Sequence, residues 1–85
     1  MKSFNYTITD AQGIHARPAG LFVKAATEFK SSVTIAKDGK EADAKRIFGI
    51  MGLGVKQGEQ IVVSASGDDE DHAVETLQSF LKENL

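Results

Sequence analysis

The chain contains no cysteine and no tryptophan, a single proline (Pro18) and only two histidines, His15 and His72. Without cysteine there are no disulfides, no thiolate metal sites and no cysteine nucleophile, which fits a reducing compartment. No apolar run approaches a membrane span, and the opening Met1-Lys2-Ser3-Phe4-Asn5-Tyr6-Thr7 lacks the apolar stretch of a secretory signal. The expectation is a cytoplasmic protein with no direct membrane insertion. A formal net charge of −2 removes the electrostatic basis for binding nucleic acid, which depends on neutralising many phosphates.

What the chain does have is the make-up of an ordinary soluble globular protein, with 85 residues of which 41% are apolar and 26% charged. That length predicts one domain over residues 1–85 with a modest core, because so short a chain buries only about 60% of its unfolded surface. Phe4, Tyr6 and Ile8 alternate with Asn5 and Thr7 and predict a half-buried strand that ends at the turn-like Asp10-Ala11-Gln12-Gly13. From Ala16 to about Phe29 the spacing becomes helical, with Ala19, Phe22, Ala26 and Phe29 on one side. Pro18 fits the first turn, where no intrahelical N–H bond is lost.

Val33 and Ile35 alternate with Thr34 and Ala36, Asp38-Gly39 supplies a two-residue turn, and Ala42 and Ala44 suggest a short return strand. Ile47, Ile50 and Met51 predict one or two helical turns up to Leu53, limited by Gly49, Gly52 and Gly54. A last strand runs from Ile61 to about Ser66. After Gly67, the acidic run Asp68-Asp69-Glu70-Asp71 opens a terminal helix with Ala73, Leu77, Phe80 and Leu81 as its buried stripe. The order β-α-β-β-α-β-α predicts an α+β sandwich in which Phe4, Tyr6 and Ile8 are buried against Phe22, Phe29 and Phe80. Strand order does not follow from this pattern.

Gly13-Ile14-His15-Ala16-Arg17-Pro18-Ala19 puts an imidazole at or beside the N-cap of the first helix. The first N–H groups of a helix have no intrahelical acceptor and the macrodipole is positive there, so the Ala16 and Arg17 amides suit an anion. The Arg17 guanidinium can add charge-assisted hydrogen bonds. A positive helix end also favours a neutral His15 with a lone pair free to attack phosphorus.

This segment resembles the active-site signature of the HPr family, the histidine-containing phosphocarriers of the bacterial sugar phosphotransferase system. The resemblance continues through Leu21-Phe22-Val23, Asp38-Gly39-Lys40, the stretch from Ala44-Lys45 to Leu53-Gly54, and Gly67 with its acidic helix start. It implies an open-faced β-sandwich with a four-stranded antiparallel sheet and three helices. It further implies that His15 takes a phosphoryl group on Nδ1 from a phosphoenolpyruvate-dependent first enzyme and passes it to sugar-specific second enzymes. Such a protein is a carrier and not an enzyme, needs no cofactor or metal, and is expected to be a monomer. The alternative is an HPr-like regulatory protein of a nitrogen or signalling phosphotransfer branch.

In the family the partner surface surrounds the histidine on the first and second helices, which nominates Leu21, Lys24, Ile47, Phe48 and Met51. Ile47 and Phe48 are adjacent, so one of them is expected near the surface. Ile50 and Leu53 read as core. Many members carry a kinase-regulated serine after the Ala-Lys pair, whereas this chain has Arg46, which cannot be phosphorylated there. His72 among Asp69, Glu70, Asp71 and Glu75 lacks a rigid metal-ligand spacing, and helix capping accounts for those acids. The Gly49-x-x-Gly52-x-Gly54 run lacks the lysine of a nucleotide loop. No base or orienting acid beside His15 is evident, which argues against a self-sufficient hydrolase.

Overall fold

The computed structural model describes residues 1–85. Its elements are β1 (Lys2–Thr7), α1 (Ala16–Thr27), β2 (Ser32–Lys37), β3 (Lys40–Asp43), α2 (Ile47–Gly52), β4 (Gln60–Ser66) and α3 (Glu70–Asn84). The four strands form one sheet in the order β1-β4-β2-β3, with every neighbouring pair antiparallel. The expected α+β open-faced sandwich is therefore the observed architecture. Strands β2 and β4 are central, and their registers, Val33 opposite Ala65 and Ile35 opposite Val63, put apolar residues on one face.

That face carries the core. Val33, Ile35, Ile61, Val63 and Ala65 lie under Ala19, Phe22 and Ala26 of α1 and Ala73, Leu77 and Leu81 of α3, all buried. Small residues at 19 and 26 let α1 sit close to the sheet, and Phe22 meets Phe80 edge-on with ring centroids 5.8 Å apart. The opposite face presents Asn5, Thr34, Val62 and Ser64, which are half-buried or exposed. This inward-apolar and outward-polar alternation is the pattern of a sheet covered on one side only.

Several boundaries differ from the sequence reading. Helix α1 stops at Thr27, and Phe29 packs into the core from the following turn, where the Lys45 ammonium donates to its carbonyl at 2.9 Å. Ala44 falls just beyond β3, although its N–H still donates to Val33 at 2.9 Å. Phe4 and Tyr6 are only half-buried because β1 is an edge strand. Tyr6 instead sends its hydroxyl to the carbonyl of Leu81 at 3.0 Å. Phe80 is half-buried at the margin of the core. The hairpin turn matches expectation, with positive φ at Asp38 (52°) and Gly39 (83°) as a type I′ turn requires.

The acidic start of α3 does more than complement the helix dipole. Asp69 is the N-cap but makes no capping hydrogen bond. Its carboxylate reaches across to the α1–β2 connection and accepts the Ser31 hydroxyl and the N–H groups of Lys30 and Ser31, both at 2.9 Å. Glu70 closes a local ring by accepting the Gly67 N–H at 3.1 Å and also pairs with the amino terminus at 3.0 Å. Two joints of the chain are thus tied by one short acidic segment.

The Ser31 hydroxyl, followed by the Lys30 N–H, holds the Asp69 carboxyl from 3.8 down to about 2. A lowered folded value means the unfolded chain binds more protons between those limits. The stabilisation is therefore complete above pH 3.8 and is lost as the pH falls through about 2. Thermal melts across that range should lose stability more steeply for the native protein than for Asp69→Asn, with the two curves converging at the acid end.

Candidate functional site

The loop between β1 and α1 is held by its backbone. After β1 the Ile8 N–H donates to Glu59 at 3.0 Å, and the turn closes when the Gly13 N–H donates to the Asp10 carbonyl at 2.9 Å. The Asp10 carboxylate accepts the Gln12 N–H at 2.8 Å, forming an Asx turn inside it. Gly13 has a φ of +68°, and a Cβ there would lie 2.7 Å from the Cα of Lys56 and closer still to the Val55 carbonyl oxygen. Next along, the Ile14 N–H donates to that same Val55 oxygen at 3.0 Å. Only a residue without a side chain admits this approach, and the approach fixes where α1 begins.

His15 is the N-cap of α1, with extended backbone (φ −114°, ψ 177°) and its carbonyl accepting the Ala19 N–H at 3.0 Å. Its side chain makes no capping bond and is 36% exposed. The Ala16 and Arg17 N–H groups have no acceptor in the protein, and Pro18, buried in the first turn, has none to offer. Two open amides therefore point from the helix end beside an accessible imidazole, and Arg17 is exposed. The sequence reading expected an imidazole at or beside this N-cap, with the Ala16 and Arg17 amides as donors to an anion.

It did not identify Asp10. The structure brings an oxygen of Asp10 to 3.7 Å from Nε2 of His15, so an acid does stand beside the imidazole. The four intervening residues, without periodicity, carry no sign of the contact. The only available signal was the Asp-x-Gln spacing of the Asx turn, which folds the carboxylate back over the loop.

Around the histidine, α1 and α2 pack side by side. Phe48 is 87% exposed, Leu21 46% and Met51 38%, with exposed Lys24 beside them. Ile47 turns toward α1, where its Cδ1 lies 3.7 Å from the position a Cβ on Gly20 would take, and it is half-buried. Of the adjacent pair, Phe48 is thus the one left outside. Ile50 is buried and Leu53 half-buried. Arg46 is the N-cap of α2, 81% exposed and 3.8 Å from Asp43, a surface pair of little energetic weight. Lys37 secures the other end of α2 by donating to the carbonyls of Gly54 (3.1 Å) and Leu53 (3.4 Å). His72 lies edge-on to Phe29, 5.4 Å between ring centroids, and far from His15 in the fold.

A Gly13→Ala substitution should lower stability by more than about 1 kcal/mol, since it combines a left-handed backbone with a collision against residues 55 and 56. Denaturant unfolding measures the loss, and altered amide shifts at Ile14, His15 and Val55 should accompany it.

Known proteins share this fold and much of this sequence. A family model described as the PTS HPr component phosphorylation site matches residues 2–83. The phosphocarrier protein HPr of Lysinibacillus sphaericus is 45% identical over 83 residues, 98% of this chain and 94% of that protein. The HPr-like protein Crh of Bacillus subtilis is 44% identical over 73 residues, 86% of each chain. HPr from Thermoanaerobacter tengcongensis, 44% identical, has been solved as HPr-C-His and as a dimer. The first superposes with a TM-score of 0.94 over 98% of this chain and 93% of that one, the second with 0.78 over 98% and 95%. With a family match covering nearly the whole chain and the same fold in its relatives, this chain belongs to the HPr family of phosphocarrier proteins of the phosphotransferase system.

Proposed function

We propose that this chain accepts a phosphoryl group on His15 from a phosphoenolpyruvate-dependent first enzyme and passes it to sugar-specific second enzymes. The observation that carries this reading is the accessible His15 ring at a helix N-terminus whose Ala16 and Arg17 amides have no partner. Those donors and the Arg17 guanidinium are suited to the oxygens of a phosphoryl group. Nε2 faces the Asp10 carboxylate, which favours the tautomer protonated there and leaves the lone pair on Nδ1. Nδ1 is then the attacking atom. Transfer in either direction depends on in-line positioning supplied by the docked partner, so the protein is a reactant regenerated by its partners and not a catalyst for a free substrate.

The docking surface in this reading is formed by Leu21, Lys24, Phe48 and Met51, with Ile47 packed behind them. Within α1 and α2 the only charged side chains are Arg17 and Lys24, and Arg46 caps α2, although the chain as a whole carries a net charge of −2. A partner with an acidic rim around an apolar patch fits this surface. Arg46 offers no hydroxyl, so no kinase switch operates at that position. We place the protein in the cytoplasm as a monomer of one domain that serves successive partners. No helix is long and apolar enough to cross a membrane. Similarity to the HPr-like protein Crh lends weight to a second reading, an HPr-like regulatory protein in a nitrogen or signalling branch. Preference for the first enzyme of one branch over the other separates the two.

Incubation with phosphoenolpyruvate, magnesium and a purified first enzyme should add one acid-labile phosphoryl group, read by intact mass. His15→Ala should remain unmodified, and Arg17→Ala should slow the transfer by about tenfold or more, the effect of one charge-assisted contact to a transferring phosphoryl group. Phe48→Ala should leave thermal stability unchanged and raise the KM for the partner. No phosphorylation of the folded native chain by several competent first enzymes would overturn the reading.

A further inference from the structure

Asp10 is a residue that the resemblance of this chain to its family does not single out, yet it is held in place beside the histidine. Its own N–H donates to the Leu85 carbonyl at 3.0 Å, its carbonyl accepts the Gly13 N–H at 2.9 Å, and its Oδ1 accepts the Gln12 N–H at 2.8 Å. Thr9 adds its N–H and hydroxyl, the latter at 2.8 Å, to the same Leu85 oxygen. Backbone bonds from two directions thus hold Asp10, and the Gln12 N–H holds its carboxylate, which stands 3.7 Å from Nε2 of His15 at roughly one-third exposure. That distance is too long for a hydrogen bond and right for an ion pair once the ring is charged.

The charge on the ring changes during phosphoryl transfer. The Nδ1 lone pair forms the new N–P bond, the bond between phosphorus and the donor breaks, and its electron pair leaves with the donor. Nε2 keeps its proton, so the neutral imidazole becomes a positively charged phosphoimidazolium ring. No proton has to leave. A fixed carboxylate beside Nε2 is therefore more strongly attracted after transfer than before it. The phosphoryl oxygens bring negative charge on the far side of the ring, and their repulsion from Asp10 offsets part of this attraction.

We propose that Asp10 is a positioning residue for His15 that holds the Nε2–H edge of the ring and stabilises the phosphorylated form of the carrier. The inference rests on the reading of His15 as the phosphoryl acceptor through Nδ1. It assigns a role in setting how completely the carrier is charged, distinct from the anion-binding role of the Ala16 and Arg17 amides. Asp10→Asn is the informative variant, because an amide oxygen can still accept the Gln12 N–H and keep the turn while the charge is removed.

The experiment brings native protein and Asp10→Asn to equilibrium with the same first enzyme, phosphoenolpyruvate and pyruvate, and measures the ratio of phosphorylated to free carrier by intact mass. Nitrogen NMR of the His15 ring and a thermal melt accompany it. The ratio should fall about twofold in Asp10→Asn, less than the roughly fivefold of an isolated unit-charge pair about 4 Å apart in a solvent-like dielectric, because the phosphoryl charge offsets part of it. The thermal midpoint should be unchanged, and the unphosphorylated ring should lose part of its preference for a proton on Nε2. Equal ratios in the two proteins would overturn the role of Asp10 while leaving His15 as the acceptor. Native protein that takes no phosphoryl group on His15 would overturn the acceptor reading, and the proposal with it.

Discussion

The contact between the β1–α1 loop and the segment ahead of β4 is the constraint on which the site depends. Gly13 lies against the backbone of Val55 and Lys56, and the Ile14 N–H is bonded to the Val55 oxygen, so the residue that follows has almost no freedom of position. His15 caps α1 because the chain arrives there in extended conformation and turns into the helix at that residue. The helix is in turn located by its small-residue face, Ala19 and Ala26, against the sheet. Its far end is secured by Lys45 on the Phe29 carbonyl, and the connection that follows is secured by Asp69 on Lys30 and Ser31. The ties by Lys45 and Asp69 pair a side chain with otherwise unsatisfied backbone groups, which is how loops are made rigid without burying them.

The same construction separates stability from recognition. The core is formed by the inner face of the sheet with α1 and α3, and no core residue other than Ile50 comes from α2. Helix α2 is free to present Phe48 outward beside Leu21 and Met51. An exposed aromatic costs a monomer little and offers an anchor to a partner. A flexible methionine suits a surface that must fit more than one partner. Under the proposed function, the basic residues of α1 and of the α2 cap, set in an acidic chain, serve encounter with acidic surfaces without strengthening each complex so far that the phosphoryl group cannot move on.

Most elements were legible in the sequence because their signals are local. The period-2 alternation of residues 4–8, the Asp38-Gly39 turn, the Pro18 helix start and the Gly67 breaker all lie within a few residues of the structures they specify. The order β1-β4-β2-β3 was not legible, since it pairs residues about sixty positions apart, as in Phe4 with Val63. The half-burial of Phe4 and Tyr6 follows from that order, because an edge strand has a neighbour on one side only. His15 and Arg17 lie at the start of α1, and Phe48 lies on the exposed side of α2. Asp10 and Asp69 were missed as ties for the same reason as the strand order, because each acts on groups that the fold, and not the sequence, brings near. A run of acids before a helix looks like dipole complementation, and only the three-dimensional structure shows Asp69 turned away to bind another loop.

The central proposal is that His15, at the start of α1 with Nε2 turned toward Asp10, takes the phosphoryl group on Nδ1. Phosphorus-to-nitrogen coupling in the phosphorylated protein, uniformly labelled with nitrogen-15, tests it most directly. The account predicts a one-bond coupling of phosphorus to Nδ1 of His15 and a proton retained on Nε2. Coupling to Nε2, or a phosphoryl group on any residue other than His15, would contradict it.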